Sequence, residues 1–244
     1  MMRRFAVVCC VLLLSMGRVW AGPPYVTDDP EPTDYQHFEI YAFGSGSIAR
    51  DGRDGEGGID FNYGGAPNLQ LTAVLPLAYD SPDGAAAMAG VGNIELAVKY
   101  KFLHQEDVGW DVSVFPRLLL PSLSSRIGDH HFSILLPVWI GRDFGTWSTF
   151  GGGGCAWNES RESQNYCLAG WALTRVIAPH LTVGAEVYHQ TAADRGGKAA
   201  TGVGFGVTYD LNEHYHLMAS AGPGLQNRAE TGDMAWYAAV LMTF

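Results

Sequence analysis

Charge is what this sequence is short of. Charged residues make up 16% of its 244 residues, against a usual share of about 25%. The shortage falls hardest on bases, since 15 Lys and Arg stand against 25 Asp and Glu, for a formal net charge of −10. A chain so poor in base lacks the electrostatic footprint that nucleic acid requires. Long apolar runs are missing as well. Beyond the first twenty residues nothing approaches the ~18 consecutive apolar residues of a membrane-spanning helix, and mean hydropathy is only +0.01. Disorder is excluded by a hydrophobic content of 47%, and a coiled coil by 31 glycines and 12% aromatics. What is left is a glycine-rich, aromatic-rich chain whose composition favours strands over helices.

The start of the chain indicates the compartment. Arg3 and Arg4 precede the apolar run from Phe5 to Leu14, and Val19-Trp20-Ala21 offers small residues for cleavage. These are the three regions of a secretory signal peptide, so residues 1–21 are set aside from the fold. Cys9 and Cys10 fall within the apolar run. Two cysteines then remain, Cys155 and Cys167, and an even count in an oxidising compartment reads as one disulfide. They stand symmetrically about the 158–165 loop, where strand register brings them opposite each other.

Hydrophobic alternation sets the fold class. Ile94, Leu96, Val98, Tyr100 and Phe102 fall on one face, with Asn93, Glu95, Ala97, Lys99 and Lys101 on the other. A period this strict marks a strand with one apolar and one charged side. The pattern recurs over about twelve segments: 35–47, 56–64, 68–79, 92–103, 109–121, 130–142, 147–157, 166–176, 181–191, 199–209, 214–222 and 233–244. Each is long enough to cross, when tilted, a hydrocarbon layer about 25 Å tall. The connections alternate between short turns (64–67, 143–146, 177–180, 210–213) and mostly longer polar or glycine-rich loops (50–55, 80–91, 122–129, 158–165, 222–232). That asymmetry belongs to bacterial outer-membrane barrels, with the short turns in the periplasm. An exported β-sandwich would need shorter strands and gives no reason for the loop asymmetry. The reading is an all-β, twelve-stranded antiparallel transmembrane β-barrel, an up-and-down meander over residues 35–244, in a Gram-negative outer membrane. Its last strand carries Phe244 on the outward face, an aromatic signal of the type read by the barrel-assembly machinery.

Several stretches also resemble one family: Pro23-Pro24-Tyr25-Val26-Thr27-Asp28-Asp29-Pro30, Phe38-Glu39-Ile40, Asp60-Phe61-Asn62-Tyr63-Gly64, the run Val91 to Phe102, and Leu136-Pro137-Val138-Trp139. Together they are similar to the outer-membrane family named for the meta-pathway of phenol degradation, whose members are often described as transporters. Asn93 stands where that family's Asp is expected. The resemblance implies uptake of small, often aromatic or apolar, compounds.

With the apolar faces in lipid, Glu39, Asp60, Glu95, Lys99, Lys101, Asp111, Arg117 and Glu186 face the lumen. The opposite facing would cost roughly 2–4 kcal/mol per Lys or Arg near the midplane. These residues form either an ionic network that braces the wall or a narrow polar eyelet that selects solutes. The Pro-rich acidic segment 22–34 lacks a strand pattern and is either a periplasmic tail or a plug within the lumen; the family resemblance favours the plug.

Signs of catalysis are sparse. His131 and Ser133 stand one pleat apart, a spacing that permits a nucleophile–base contact in a surface lipid hydrolase, with Asp129 on the same face. His214 and His216 share a face at a turn, too few ligands for a metal. Gly151 to Gly154 precede no helix and cradle no phosphate. Neither a catalytic residue nor a cofactor is assigned. The expected function is a passive pore for small molecules, partnered by outer-membrane lipid and a small solute. The competing readings are a closed structural or adhesive barrel and a lipid hydrolase using His131 and Ser133.

Overall fold

The computed structural model describes residues 24–124, 126–158 and 163–244. The expected signal segment 1–21 lies outside the described residues, as do positions 159–162 of the 158–165 loop. One antiparallel sheet closes on itself from β1 (Phe38–Ala49), β2 (Gly52–Ala66), β3 (Leu69–Pro82), β4 (Met88–Val91), β5 (Glu95–Leu103), β6 (Asp111–Val114), β7 (Arg117–Leu119), β8 (Ser133–Phe144), β9 (Trp147–Asn158), β10 (Tyr166–Ala178), β11 (Leu181–Gln190), β12 (Ala200–Asp210), β13 (Tyr215–Gln226) and β14 (Met234–Thr243). The segments β4 and β5 both pair with β3 and make one stave, and β6 and β7 lie together between β5 and β8 as the next. The barrel therefore has twelve staves, joined where β1 pairs with β14 from Glu39↔Thr243 to Ile48↔Met234.

Both breaks have local causes. Val74↔Glu95 and Leu77↔Val91 enclose two residues of β3 but three of the facing stave, so residues 92–94 form a bulge opposite Pro76, which has no N–H for the ladder. In the next stave Pro116 lies near Pro137 of β8, so donors are missing on both strands; Phe115 N–H reaches Pro137 O at 3.1 Å instead. The strand expected at 109–121 is thus interrupted; the one expected at 92–103 begins at Glu95, and its stave resumes beyond the bulge as β4, in residues expected as the 80–91 loop.

A second correction concerns residues 50–55, expected as a loop. The first hairpin continues outward to Ala49↔Gly52, leaving a two-residue turn. Glycines 52, 55, 57 and 58 mimic a loop by composition, but they pair through the backbone as well as any residue. They also leave room above the sheet, where the Tyr79 hydroxyl lies over Gly55 and Gly46. Elsewhere one rim keeps tight turns, with left-handed backbone at Asn68, Gly145 and His180. A one-turn helix, α1 (Gln105–Val108), is also on this rim; α2 (Arg228–Thr231) sits at the opposite one. Both ends of the barrel meet at the tight-turn rim, where Phe38 and Phe244 exchange backbone hydrogen bonds of 2.8 and 3.0 Å.

The outside is apolar, with Leu75, Leu77, Leu96, Leu136, Val138, Trp171, Leu173 and Phe205 exposed around the wall. Polar side chains such as Glu39, Gln70, Thr72, Lys99 and Glu186 are buried inside. Cys155 and Cys167 are directly paired in the β9–β10 register and form a disulfide near the loop-bearing rim.

Candidate functional site

The lumen is occupied by the chain's own residues 24–34. Left-handed backbone at Gln36 (φ 65°) reverses the chain at the tight-turn rim, where Gln36 N–H donates to Gly64 O at 2.8 Å. From there the segment climbs inside the barrel, and each step has a partner on the wall. Thr33 donates through its N–H and hydroxyl to Gln70 Oε1 at 2.8 and 3.1 Å, while Gln70 Nε2 is held against Asn62 at 2.7 Å. Lys101 Nζ donates to both Glu31 oxygens at 2.8 and 2.7 Å and lies 3.6 Å from Asp111. Lys99 Nζ donates to Asp28 Oδ1 at 3.1 Å, Asp29 O at 3.0 Å and Glu31 O at 3.3 Å. Higher still, Glu186 accepts Val26 N–H at 3.0 Å, Thr27 N–H at 2.9 Å and the Thr27 hydroxyl at 2.8 Å. Ser220 Oγ donates to Pro24 O.

The fit on the other side comes from missing side chains. A Cβ on Gly141 would lie 2.8 Å from Pro30, one on Gly170 would collide with Thr27 Oγ1, and those on Gly184 and Gly206 would lie 2.5 and 2.6 Å from the Tyr25 hydroxyl. Four glycines thus hollow a trough for the segment across β8, β10, β11 and β12.

The electrostatics follow from this geometry. The Lys99 side chain is 5% exposed and that of Asp29 1%, so both charges are tolerable only as a hydrogen-bonded cluster. Burial pushes the Asp29 carboxyl well above the usual carboxylate range, and Lys99 opposes the shift. Burial raises Glu31 too, opposed by the bonds and charge of Lys101. Arg117 Nε sits 2.9 Å from Glu95 Oε1, and Lys99 and Arg117 each lie 4.8 Å from the Phe115 ring centroid, sandwiching it.

Among the described residues the barrel holds several cavities, most of them beside the segment. One of about 580 Å³ opens at the outer rim between the β1–β2 tip and residues 190–200. An apolar one of about 280 Å³ lies by Pro24–Val26, Tyr188 and Val203. A third, of about 310 Å³, has Asp28, Glu56, Asp60, Arg117 and Tyr237 in its walls. The last, of about 520 Å³, lies at the periplasmic mouth beside Glu31, Lys101 and His104.

The eight charged residues named from alternation are all found on the lumen side. Lys99, Lys101 and Glu186 contact the inner segment directly. Glu95 and Arg117 pair with each other, and Asp111 lies beside Lys101. Glu39 accepts from Tyr41 at 3.2 Å and Asp60 from Asn62 at 2.9 Å. His131 and Ser133 are not brought together as a strand pair. His131 precedes β8, and Ser133 Oγ is buried without a hydrogen-bond partner among the described residues. His216 instead reaches Asp210 at 2.7 Å, and the His214 ring stacks on Phe244 at 5.7 Å. Sequence reasoning missed Glu56, although it continues the inward parity of Asp60 and Asn62 through a glycine. It also missed Asp28, Asp29 and Glu31 as wall partners, for which the sequence offers no periodic signal.

A closed barrel with an apolar outer wall, a charged interior, and tight turns on one rim with mostly longer loops on the other is an outer-membrane barrel, and the outer membrane is where this chain resides. The chain belongs to the family described as "Putative MetA-pathway of phenol degradation", whose model matches residues 32–238. An outer membrane channel from Pseudomonas putida F1 has a similar fold, with a TM-score of 0.72 and 13% identity over 92% of this chain and 100% of that one. Likeness to outer membrane phospholipase A from Escherichia coli is weaker, with a TM-score of 0.44 and 10% identity over 90% of this chain and 92% of that one. The translocator domain of the autotransporter NalP from Neisseria meningitidis gives 0.43 and 11% over 85% and 86%. No curated protein sequence matches the chain.

Proposed function

We propose that the chain is a passive outer-membrane pore for small molecules, narrowed by residues 22–34 acting as a plug. The observation that carries this reading is the space left beside the inner segment at Pro24–Val26, at Asp28 and at the periplasmic mouth, with a further cavity at the outer rim. A barrel whose role was purely structural gains nothing from buried charge that must be matched ion by ion, because apolar packing holds as well or better. The description of the P. putida protein as a channel agrees with this reading. The apolar cavity by Val26 and Val203 suits small aromatic or apolar solutes, as the family description suggests. Residues 1–21 act as the cleaved export signal, and β14 with Phe244 is the element presented to the barrel-assembly machinery.

The test is single-channel conductance of the refolded mature protein in a planar bilayer, with and without residues 22–34, folding being checked by heat-modifiable gel mobility. Conductance steps that grow when the segment is removed are the expected result. Silence from both folded proteins defeats the pore, and a lipid hydrolase then becomes testable through turnover lost in Ser133→Ala.

A further inference from the structure

The bases of the middle lumen are already engaged. Lys99 is held by the Asp28 carboxylate and two backbone carbonyls, Lys101 by Glu31, and Arg117 by Glu95 and the face of Phe115. Among the described residues the carboxylates of β2 accept no hydrogen bond from a base; Arg117, already bonded to Glu95, attracts Asp60 only at a distance across the cavity they share. This strand turns Asp54, Glu56 and Asp60 inward, and its one base, Arg53, has the opposite parity. Their cross-strand neighbours bring no positive charge. Asp54 stands between Ser47 and Asp80, Glu56 between Ser45 and Ala78, and Asp60 between Tyr41 and Val74. The hydrogen bonds they receive come from neutral groups, Ser47 on Asp54 at 2.6 Å and Asn62 on Asp60 at 2.9 Å, while Glu56 has no hydrogen-bonded partner among the described residues. At a rise of about 3.4 Å per residue the three carboxylates lie roughly 7 and 14 Å apart along the wall. Asp54 borders the outer cavity, and Glu56 and Asp60 border the cavity beside the inner segment.

We propose that this stripe makes the pore cation-selective. The inference rests on the pore reading above and names its solute class: small monovalent cations, organic ammonium ions included, pass in preference to anions of equal size. Carboxylates without a hydrogen-bonded base in a narrow passage focus their field on whatever enters, and carboxylates placed in this way favour cations. The inner segment supplies the narrowness, because it confines a permeant ion to the side of the lumen where β2 lies. Cation preference therefore belongs to one stave rather than to the net charge of the protein.

The reversal potential of the refolded mature protein under a steep potassium chloride gradient tests the proposal. It is expected to lie toward the potassium equilibrium potential. Replacing Glu56→Gln and Asp60→Asn together should move it toward zero, each lost carboxylate disfavouring the cation and favouring the anion by roughly threefold apiece, about sevenfold in the cation-to-anion ratio, for ions passing ~7 Å away in a water-like dielectric. Asp210→Asn, whose carboxylate pairs with His216 near the rim, should leave it unmoved. A wild-type potential at zero or toward chloride, or one that the double variant does not shift, overturns the proposal while leaving the pore intact. Should the double variant lose its folded mobility, Glu56→Gln alone decides. Silence from the folded protein, with and without residues 22–34, overturns the pore itself and this inference with it.

Discussion

The inner segment meets two unlike walls. Toward β3, β5 and β11 its polar groups are matched one by one: Thr33 on Gln70, Glu31 on Lys101, Asp28 and two carbonyls on Lys99, and the Val26 and Thr27 amides on Glu186. Toward β8, β10, β11 and β12 its bulk lies in glycine hollows, with Pro30 on Gly141, Thr27 on Gly170 and Tyr25 on Gly184 and Gly206, β11 thus offering both Glu186 and a hollow. On β6, β8, β9 and β10 the hydroxyls of Ser113, Ser148 and Thr174 and the indole N–H of Trp139 are buried without partners among the described residues. Each such group costs about 1–3 kcal/mol when desolvated and left unbonded. One wall therefore sets the segment's height and direction, and the other only accommodates its bulk. Docking of this kind is specific without being as tight as the enclosed surface alone would suggest.

Removing the ionic wall should have the largest effect. Lys99→Met leaves Asp28 and Asp29 without their cation, and a buried pair broken in this way loses about 3–5 kcal/mol; a lowered urea midpoint of the refolded barrel and larger conductance steps are expected. Filling the trough is gentler. Gly170→Val should cost about 1–3 kcal/mol by overpacking against Thr27, read from the same titration, and a loss as large as that of Lys99→Met would erase the distinction between the walls. Lys101→Met should cost less, about 1 kcal/mol or below, because Glu31 is 45% exposed at the mouth and the pair is screened. The smallest effect is expected of Ser148→Ala, which removes a hydroxyl that bonds to nothing and should shift the midpoint by no more than ~0.5 kcal/mol in either direction. A clear destabilisation there would mean that the second wall holds the segment by a bond after all.

The barrel was legible because alternation is a local signal. Lys99 and Leu96 declare opposite faces within four residues, and twelve such stretches with mostly alternating turn lengths leave little choice of architecture. The breaks at 92–94 and 115–116 were not legible, since each depends on what a neighbouring strand offers, Pro76 in one case and Pro137 in the other. The 50–55 stretch read as a loop because glycine carries no facing information, though the backbone pairs from Gly52 onward. The route of residues 24–34 was hidden for a different reason. Thr27 meets Glu186 at a separation of 159 residues and Lys99 meets Asp28 at 71, so nothing near either residue announces the partner. The inward glycines gave no hint of the segment they admit.

The reversal at Gln36 fixes a direction of travel. Three residues separate Asp34 from the start of β1, and Gln36 is bonded to the end of β2 at Gly64. The segment is therefore tethered at the periplasmic lip, with Pro24, the first described residue, deep in the lumen. As the proposed plug it would move as a bolt is drawn, back through the mouth beside its tether. Once drawn, its eleven residues would reach about 40 Å into the periplasm when extended, carrying Asp28 and Asp29 away from the membrane. The opened state of this barrel would then be legible to the cell from the inside, as an acidic thread that a periplasmic protease can cut or a periplasmic protein can hold, while the outer surface looks unchanged.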